Sequence, residues 1–280
     1  MRDFLSCKSW LMVCVLAVLP LRLAAQETPL VIGILPTLSP RVLLGSYQPF
    51  RTYLEKNLRR PVEMVTAKDF SAFHRSAARG DYDIIVTAAH LARLAEIESG
   101  YIPLATYKSP NRALLLTSSK APLQNIQDLR GHTVATLDRS ALITSQSLVW
   151  LKKQGLQEAV DFKLLETSSH NSAAYSVLSG ESVLAIISPG GWRMMPAKLR
   201  EGLKLLASLP PLPSMMWLLN PRLHQAAPNL KIVLLDFSPD LPEGKQFFDA
   251  TGFQGMREVT PQEMKSLDPF LPYLKQNLEQ

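Results

Sequence analysis

The sequence predicts a two-lobed α/β protein, each lobe a mostly parallel sheet flanked by helices, with two crossing strands as the hinge. Three observations carry this expectation. A Gly-Asp-Tyr-Asp turn at 80–83 feeds the unbroken β-branched run Ile84-Ile85-Val86, the pattern of a strand buried on both faces of a parallel sheet. Val183 to Ile187 (VLAII) repeats that pattern further along, and strands alternate with helices around both runs. Two extended segments, near Lys108 to Leu116 and Leu209 to Trp217, offer the crossings, the second stiffened by Pro210, Pro211 and Pro213.

Taken in order, Leu30 to Leu35 (LVIGIL) reads as the first strand and Pro36 to Pro40 as a loop. Tyr47 to Leu58 places Phe50, Tyr53, Leu54 and Leu58 at helical spacing, an amphipathic helix against the sheet. Pro61 to Ala67 alternates in polarity as a second strand, and Phe70 to Arg79 is the next helix. Thr87 to His90 then fall at the carboxyl end of the third strand, before a helix over Leu91 to Glu98, and ligands of open α/β sheets bind beyond such ends. The second unit mirrors the first. His132 to Leu137 and Phe162 to Thr167 are strands, Leu142 to Gln154 and Asn171 to Leu178 are helices, and Ser188-Pro189-Gly190-Gly191 is a flexible polar loop after the buried strand. Ser214 to Leu219 returns the chain to the first lobe, which a single helix over Thr260 to Leu278 covers. The predicted division is 26–112 plus 213–280 for one lobe and 113–212 for the other.

Residues 1–25 have the features of an export signal: Arg2 and Lys8, a short apolar core from Trp10 to Leu19, Pro20, and a small-residue cleavage site at Ala24-Ala25 before Gln26. Export to the periplasm is the expectation, with no membrane span in the chain that follows. Both cysteines, Cys7 and Cys14, lie in that leader, so neither a disulfide nor thiolate chemistry is expected after cleavage. The leader holds three of the 30 basic and one of the 24 acidic residues, which leaves a net charge of +4. That mild surplus suits anions and is too diffuse for nucleic acid.

Enzymatic motifs are missing. The sequence has no Gly-x-Ser-x-Gly elbow, no phosphate-cradling Gly-rich loop ending in Lys and Ser or Thr, and no His-Glu-x-x-His helix. The five histidines, His74, His90, His132, His170 and His224, are scattered. No enzyme activity, cofactor or metal is expected.

Gly33-Ile34-Leu35-Pro36, the run PFRTYLEKNLRRPVEM from Pro49 to Met64, Lys68-Asp69-Phe70 and Gly80 to Asp83 come first. Asp128-Leu129-Arg130-Gly131, the Leu137-Asp138 loop, His170 and Leu178-Ser179-Gly180-Glu181 follow in order. Together they resemble the phosphate/phosphite/phosphonate substrate-binding proteins of ABC transporters, over essentially all of residues 28–270. The resemblance implies a type II periplasmic binding-protein fold that closes over a small ligand. It also implies an ABC permease as partner, with a membrane-bound sensor that reads the closed shape as the alternative, and a monomer.

The departures from that family bear on the ligand. Phosphonate-binding members carry a Ser-Thr-Ser-Gly-type run where this chain has Asp138-Arg139-Ser140-Ala141-Leu142-Ile143-Thr144-Ser145. The family's tyrosine falls on Phe70, and the carboxylates that would hold an ammonium group fall near Gly190 and Ser214. An aminoalkyl phosphonate is therefore disfavoured, and a small anion with an apolar portion is expected. Its candidate contacts are Ser39, Phe70, Thr87, His90, Arg112, Arg139, Ser140, Thr144, Ser145 and Trp192, with Arg193 nearby. Arginines suit bidentate recognition of an oxyanion, and the N-terminus of the Leu142 helix offers backbone amides.

Overall fold

The computed structural model describes residues 28–278; the expected export signal lies outside them. β1 (Leu30–Ile34) leads to α1 (Pro40–Leu58), β2 (Val62–Thr66), α2 (Phe70–Arg79), β3 (Ile84–Thr87), α3 (Ala89–Ser99) and β4 (Ile102–Tyr107). A second group follows: β5 (Leu114–Ser118), β6 (Thr133–Thr136), α4 (Leu142–Lys153), β7 (Lys163–Glu166), α5 (His170–Ser179), β8 (Leu184–Ile187), α6 (Pro189–Met194), α7 (Ala197–Glu201) and β9 (Leu203–Ser208). The chain ends with β10 (Met216–Leu219), α8 (Ala227–Asp236), α9 (Pro242–Thr251), β11 (Met256–Arg257), α10 (Pro261–Lys265) and α11 (Leu271–Leu278).

These strands form two sheets, ordered β11-β4-β10-β3-β1-β2 and β7-β6-β8-β5-β9. Both are mixed. The parallel character expected from the sequence resides in β2-β1-β3 and β7-β6-β8, while β10, β11, β5 and β9 add antiparallel pairings. The parallel halves matter for function, because their carboxyl ends carry the loops into α3 and α4. Between the two groups of strands, Asn111 and Leu212 form an isolated antiparallel bridge, so the outgoing and returning segments run side by side.

The Gly80–Asp83 turn explains why β3 sits at the centre of its sheet. Asp83 is buried, and its carboxylate accepts from Val31 N at 2.8 Å and pairs with Arg222 at 2.7 Å, while its backbone exchanges bonds with Val31 and Asn220. Tyr82 lies against Gly33 so closely that a Cβ there would come 2.5 Å from its ring, hence the glycine in β1. Trp217 on β10 fills the opposite face, stacked on Phe50 at 4.5 Å between ring centroids, with its indole N–H donating to Tyr107 Oη at 3.1 Å.

Several elements differ from the sequence reading. α1 begins at Pro40 rather than Tyr47, because a proline in the first turn has no N–H to satisfy. Ser188 to Gly191 is no loop: Ser188 caps α6 by accepting from Gly191 N, and Pro189 opens the helix. The expected helix over Thr260–Leu278 is broken into α10, a 3-10 turn at Asp268–Phe270 and α11, since Pro269 cannot donate in a continuous helix. β9 is an additional strand, at the edge of its sheet and mostly unburied. No helix among the described residues is long and apolar enough to cross a membrane.

Gln146 on α4 ties both crossing segments to the second sheet: its side-chain oxygen accepts from Ala113 N and its amide donates to Pro210 O, each at 2.7 Å. Gln146→Leu preserves bulk and removes both bonds. A buried polar group left without a partner costs about 1–3 kcal/mol, so equilibrium urea unfolding is expected to show a loss of at least that size. An unchanged midpoint would show that these bonds do not hold the crossing.

Candidate functional site

The loops after β3 and β6 face each other. His90, the second residue of α3, reaches the loop entering α4, where its Nε2 stands 2.7 Å from the carbonyl oxygen of Ser140. Leu142 and Val149 of α4 also pack against the core cluster of the first sheet, and Tyr273 of α11 packs against that of the second. On another side, Arg193 of α6 donates to Gly252 O at 3.3 Å, at the carboxyl end of α9. Gly252 has a positive φ of 72° and no side chain to obstruct the guanidinium, which favours glycine on both counts. The two sheet units are thus in contact, in a closed arrangement.

Capping singles out two helices at this junction. α2, α5 and α6 are capped by their own side chains, Asp69, Ser169 and Ser188. α3 and α4 instead have alanines at the N-cap, Ala88 and Ala141, which offer no side-chain acceptor. Their first-turn N–H groups have no intrahelical partner, and a helix N-terminus carries partial positive charge. Around them, three fully buried side chains leave a polar atom without a partner among the described residues: Thr87 Oγ1, His90 Nδ1 and Ser145 Oγ. Buried polar groups are nearly always paired, so three orphans on the elements that this contact brings together signal room for a polar ligand.

The other expected contacts are placed differently. Arg139 is taken up by carboxylates, at 2.5 Å from Glu158 and 2.8 Å from Glu166. Thr144 Oγ1 bonds Thr136 Oγ1 and the carbonyl of Asp138, which shapes the loop. Ser140 turns its N–H and hydroxyl onto Asp138. Ser39 is exposed at the start of α1 and caps nothing with its side chain. Arg112 is half-buried on the crossing segment, and the acid across the hinge that would pair with it is missing: it has no ion pair among the described residues. Trp192 packs on the second sheet's core with Arg200 over its ring at 6.0 Å. Phe70 packs on the first core and lines a cavity of about 220 Å³ with Asp69, Ser71, Asp138, Arg139, Ser140, Glu166 and Asn277.

That acidic lining was not read from the sequence, although Asp69 and Asp138 directly adjoin residues that were. Nor were the paired alanine N-caps, for which the only signal was the lack of Ser, Thr, Asp or Asn ahead of two helices. No group of three or more His, Cys, Asp or Glu among the described residues could hold a metal ion. His170 lies beside Ser188 Oγ at 3.0 Å and against Gly191.

The fold, two mixed sheets with helices on their faces and ligand-ready loops between them, defines a two-lobed binding protein of type II. A family described as ABC transporter, phosphonate, periplasmic substrate-binding protein matches residues 32–264, and the chain belongs to it. Among solved structures it is similar to XAC2383 from Xanthomonas citri bound to chloride ion, with 19% identity, a TM-score of 0.76 and coverage of 89% of this chain and 98% of the other. It is also similar to PhnD1 from Prochlorococcus marinus in complex with methylphosphonate, with 16% identity, a TM-score of 0.75 and coverage of 88% and 98%. The periplasmic aliphatic sulphonate binding protein SsuA from Escherichia coli matches with 15% identity, a TM-score of 0.65 and coverage of 90% and 97%.

Burial of His90 disfavours its charged form and lowers its pKa from 6.5 to about 4, the bond to Ser140 opposing this in part. The folded state therefore refuses a proton that the unfolded chain accepts. Stability from this residue is complete above pH 6.5 and is lost as pH falls toward 4, by about 3 kcal/mol in all at 1.36 kcal/mol per pKa unit. Unfolding free energies measured across that range are expected to fall less steeply in His90→Asn than in the wild type. Parallel slopes would contradict a neutral, buried imidazole.

Proposed function

We propose that this chain is an exported, periplasmic solute-binding protein that closes over a small oxyanion and presents the closed form to an ABC permease. One observation carries the reading: two helix N-termini without side-chain caps, held face to face by the His90–Ser140 bond, with unpaired hydroxyls of Thr87 and Ser145 beside them. Free amides and hydroxyls at paired helix N-termini are what an oxyanion requires. The lobes in this reading are 26–112 plus 213–280 and 113–212, and the hinge lies at the Asn111–Leu212 bridge. Membership of the family and the leader-like start of the chain support export and a transport role. The ligands carried by the similar structures, methylphosphonate among them, support the choice of oxyanion class.

A ligand that prefers the closed state shifts the population toward it. Of the residues expected to bind, Thr87, His90 and Ser145 have unused polar atoms, whereas Arg139 and Thr144 serve the architecture of the loop.

A thermal-shift screen against phosphonates, phosphite, sulfonates and carboxylates tests this directly, because ligand at 100 times its dissociation constant adds about 2.7 kcal/mol of stability. For whichever oxyanion stabilises the protein, Thr87→Val and Ser145→Val are each expected to weaken binding about tenfold, one hydrogen bond's worth. Unaltered affinity in both variants would move the ligand elsewhere, and no stabilisation by any oxyanion would remove the reading altogether.

A further inference from the structure

We propose that His90 makes this site selective for oxyanions that still carry a proton, monoanions of the phosphonate or phosphite type, over fully deprotonated isosteres such as sulfonates. The inference rests on the reading that the ligand sits between the N-termini of α3 and α4. A carbonyl oxygen can only accept, so the 2.7 Å contact with Ser140 requires the hydrogen of a neutral imidazole to be on Nε2. The other nitrogen, Nδ1, is then a bare acceptor, fully buried and without a partner among the described residues.

Helical side chains lean toward their own N-terminus. The ring of the second residue of α3 therefore lies over that helix's opening turn, and its bond to Ser140 puts its far edge at the entrance to α4. The imidazole stands in the gap between the two N-termini. A ligand there meets backbone N–H donors, two hydroxyls that can donate or accept, and one nitrogen that can only accept. A P–O–H group satisfies that nitrogen while its other oxygens take the amides. A sulfonate sets lone pair against lone pair and leaves Nδ1 unpaired.

The adjoining cavity points the same way. Asp69, Asp138 and Glu166 line it with a single arginine, Arg139, already shared between Glu158 and Glu166. Such a field penalises each additional negative charge on a nearby ligand, so a monoanion is favoured over a dianion. Phosphate-type acids keep their second proton to about pH 6 and retain a usable protonated fraction near neutrality. Sulfonic acids have no second proton to keep.

The test is isothermal titration of the purified protein at neutral pH with methylphosphonate and methanesulfonate, which match in size and shape. Sites built around a ligand's hydroxyl reject analogues lacking it by factors that reach about 10⁴; a preference for methylphosphonate of about 100-fold or more is expected here. In His90→Asn the side-chain amide can turn an N–H toward the ligand, and the preference is expected to fall below about tenfold as methanesulfonate binding improves. His90→Gln serves if the asparagine variant does not fold, and the wild-type comparison stands without either. Equal binding of the two ligands by the wild type overturns the selectivity while leaving oxyanion capture intact. Failure of both ligands to bind overturns this inference and the reading beneath it. A full preference retained in a folded variant removes His90 as its source.

Discussion

The hydrogen bond from His90 to the Ser140 carbonyl organises everything that this chain can do with a ligand. It is a contact between residues far apart in sequence, made by a fully buried side chain, and it closes one sheet unit against the other at the point where two parallel strands deliver their helices. The bond fixes which imidazole nitrogen carries a hydrogen and sets the openings of α3 and α4 toward each other. Because Ala88 and Ala141 provide no side-chain acceptor, those openings keep the donors that the other junction helices spend on their own caps.

The surrounding structure has the stiffness that such a junction needs. Asp83 anchors the start of β3 to β1 and to the segment after β10, so the far end of that strand is held in place. Gln146 fastens both crossing segments to α4, the helix whose N-terminus forms half of the site. Arg193 at Gly252 and the α11 residues astride the two cores add contacts between the lobes away from the ligand position. Closure is thus distributed over several small contacts, as a hinged protein requires if a modest ligand is to tip the balance.

Local chemistry made much of the fold legible in the sequence. α2 was readable to the residue because Asp69 caps it and Gly80 ends it in the left-handed conformation, both signals that act within a turn. The strand at Ile84 and the site position after it were likewise readable, since a β-branched run buried on both faces has few other interpretations. β9 was not, because an exposed edge strand with sequence LKLLAS needs no apolar periodicity. Arg139 shows the limit for the site. As a lone cation beside a helix start it suggests an anion clamp, and its two carboxylate partners lie 19 and 27 residues along the chain, brought in only by folding. The alanine N-caps were illegible for a different reason: a missing cap is informative only once the helix start is known to face another one.

The central claim, that ligand binding and lobe closure are one event at the His90–Ser140 junction, is tested most directly by pulsed electron spin resonance between labels at Leu38Cys and Met194Cys. Both positions are exposed, one on each lobe, and residues 28–278 contain no native cysteine. Addition of methylphosphonate should narrow the distance distribution and shift it to the shorter, closed separation. The same distribution with and without a ligand that demonstrably binds would contradict the account.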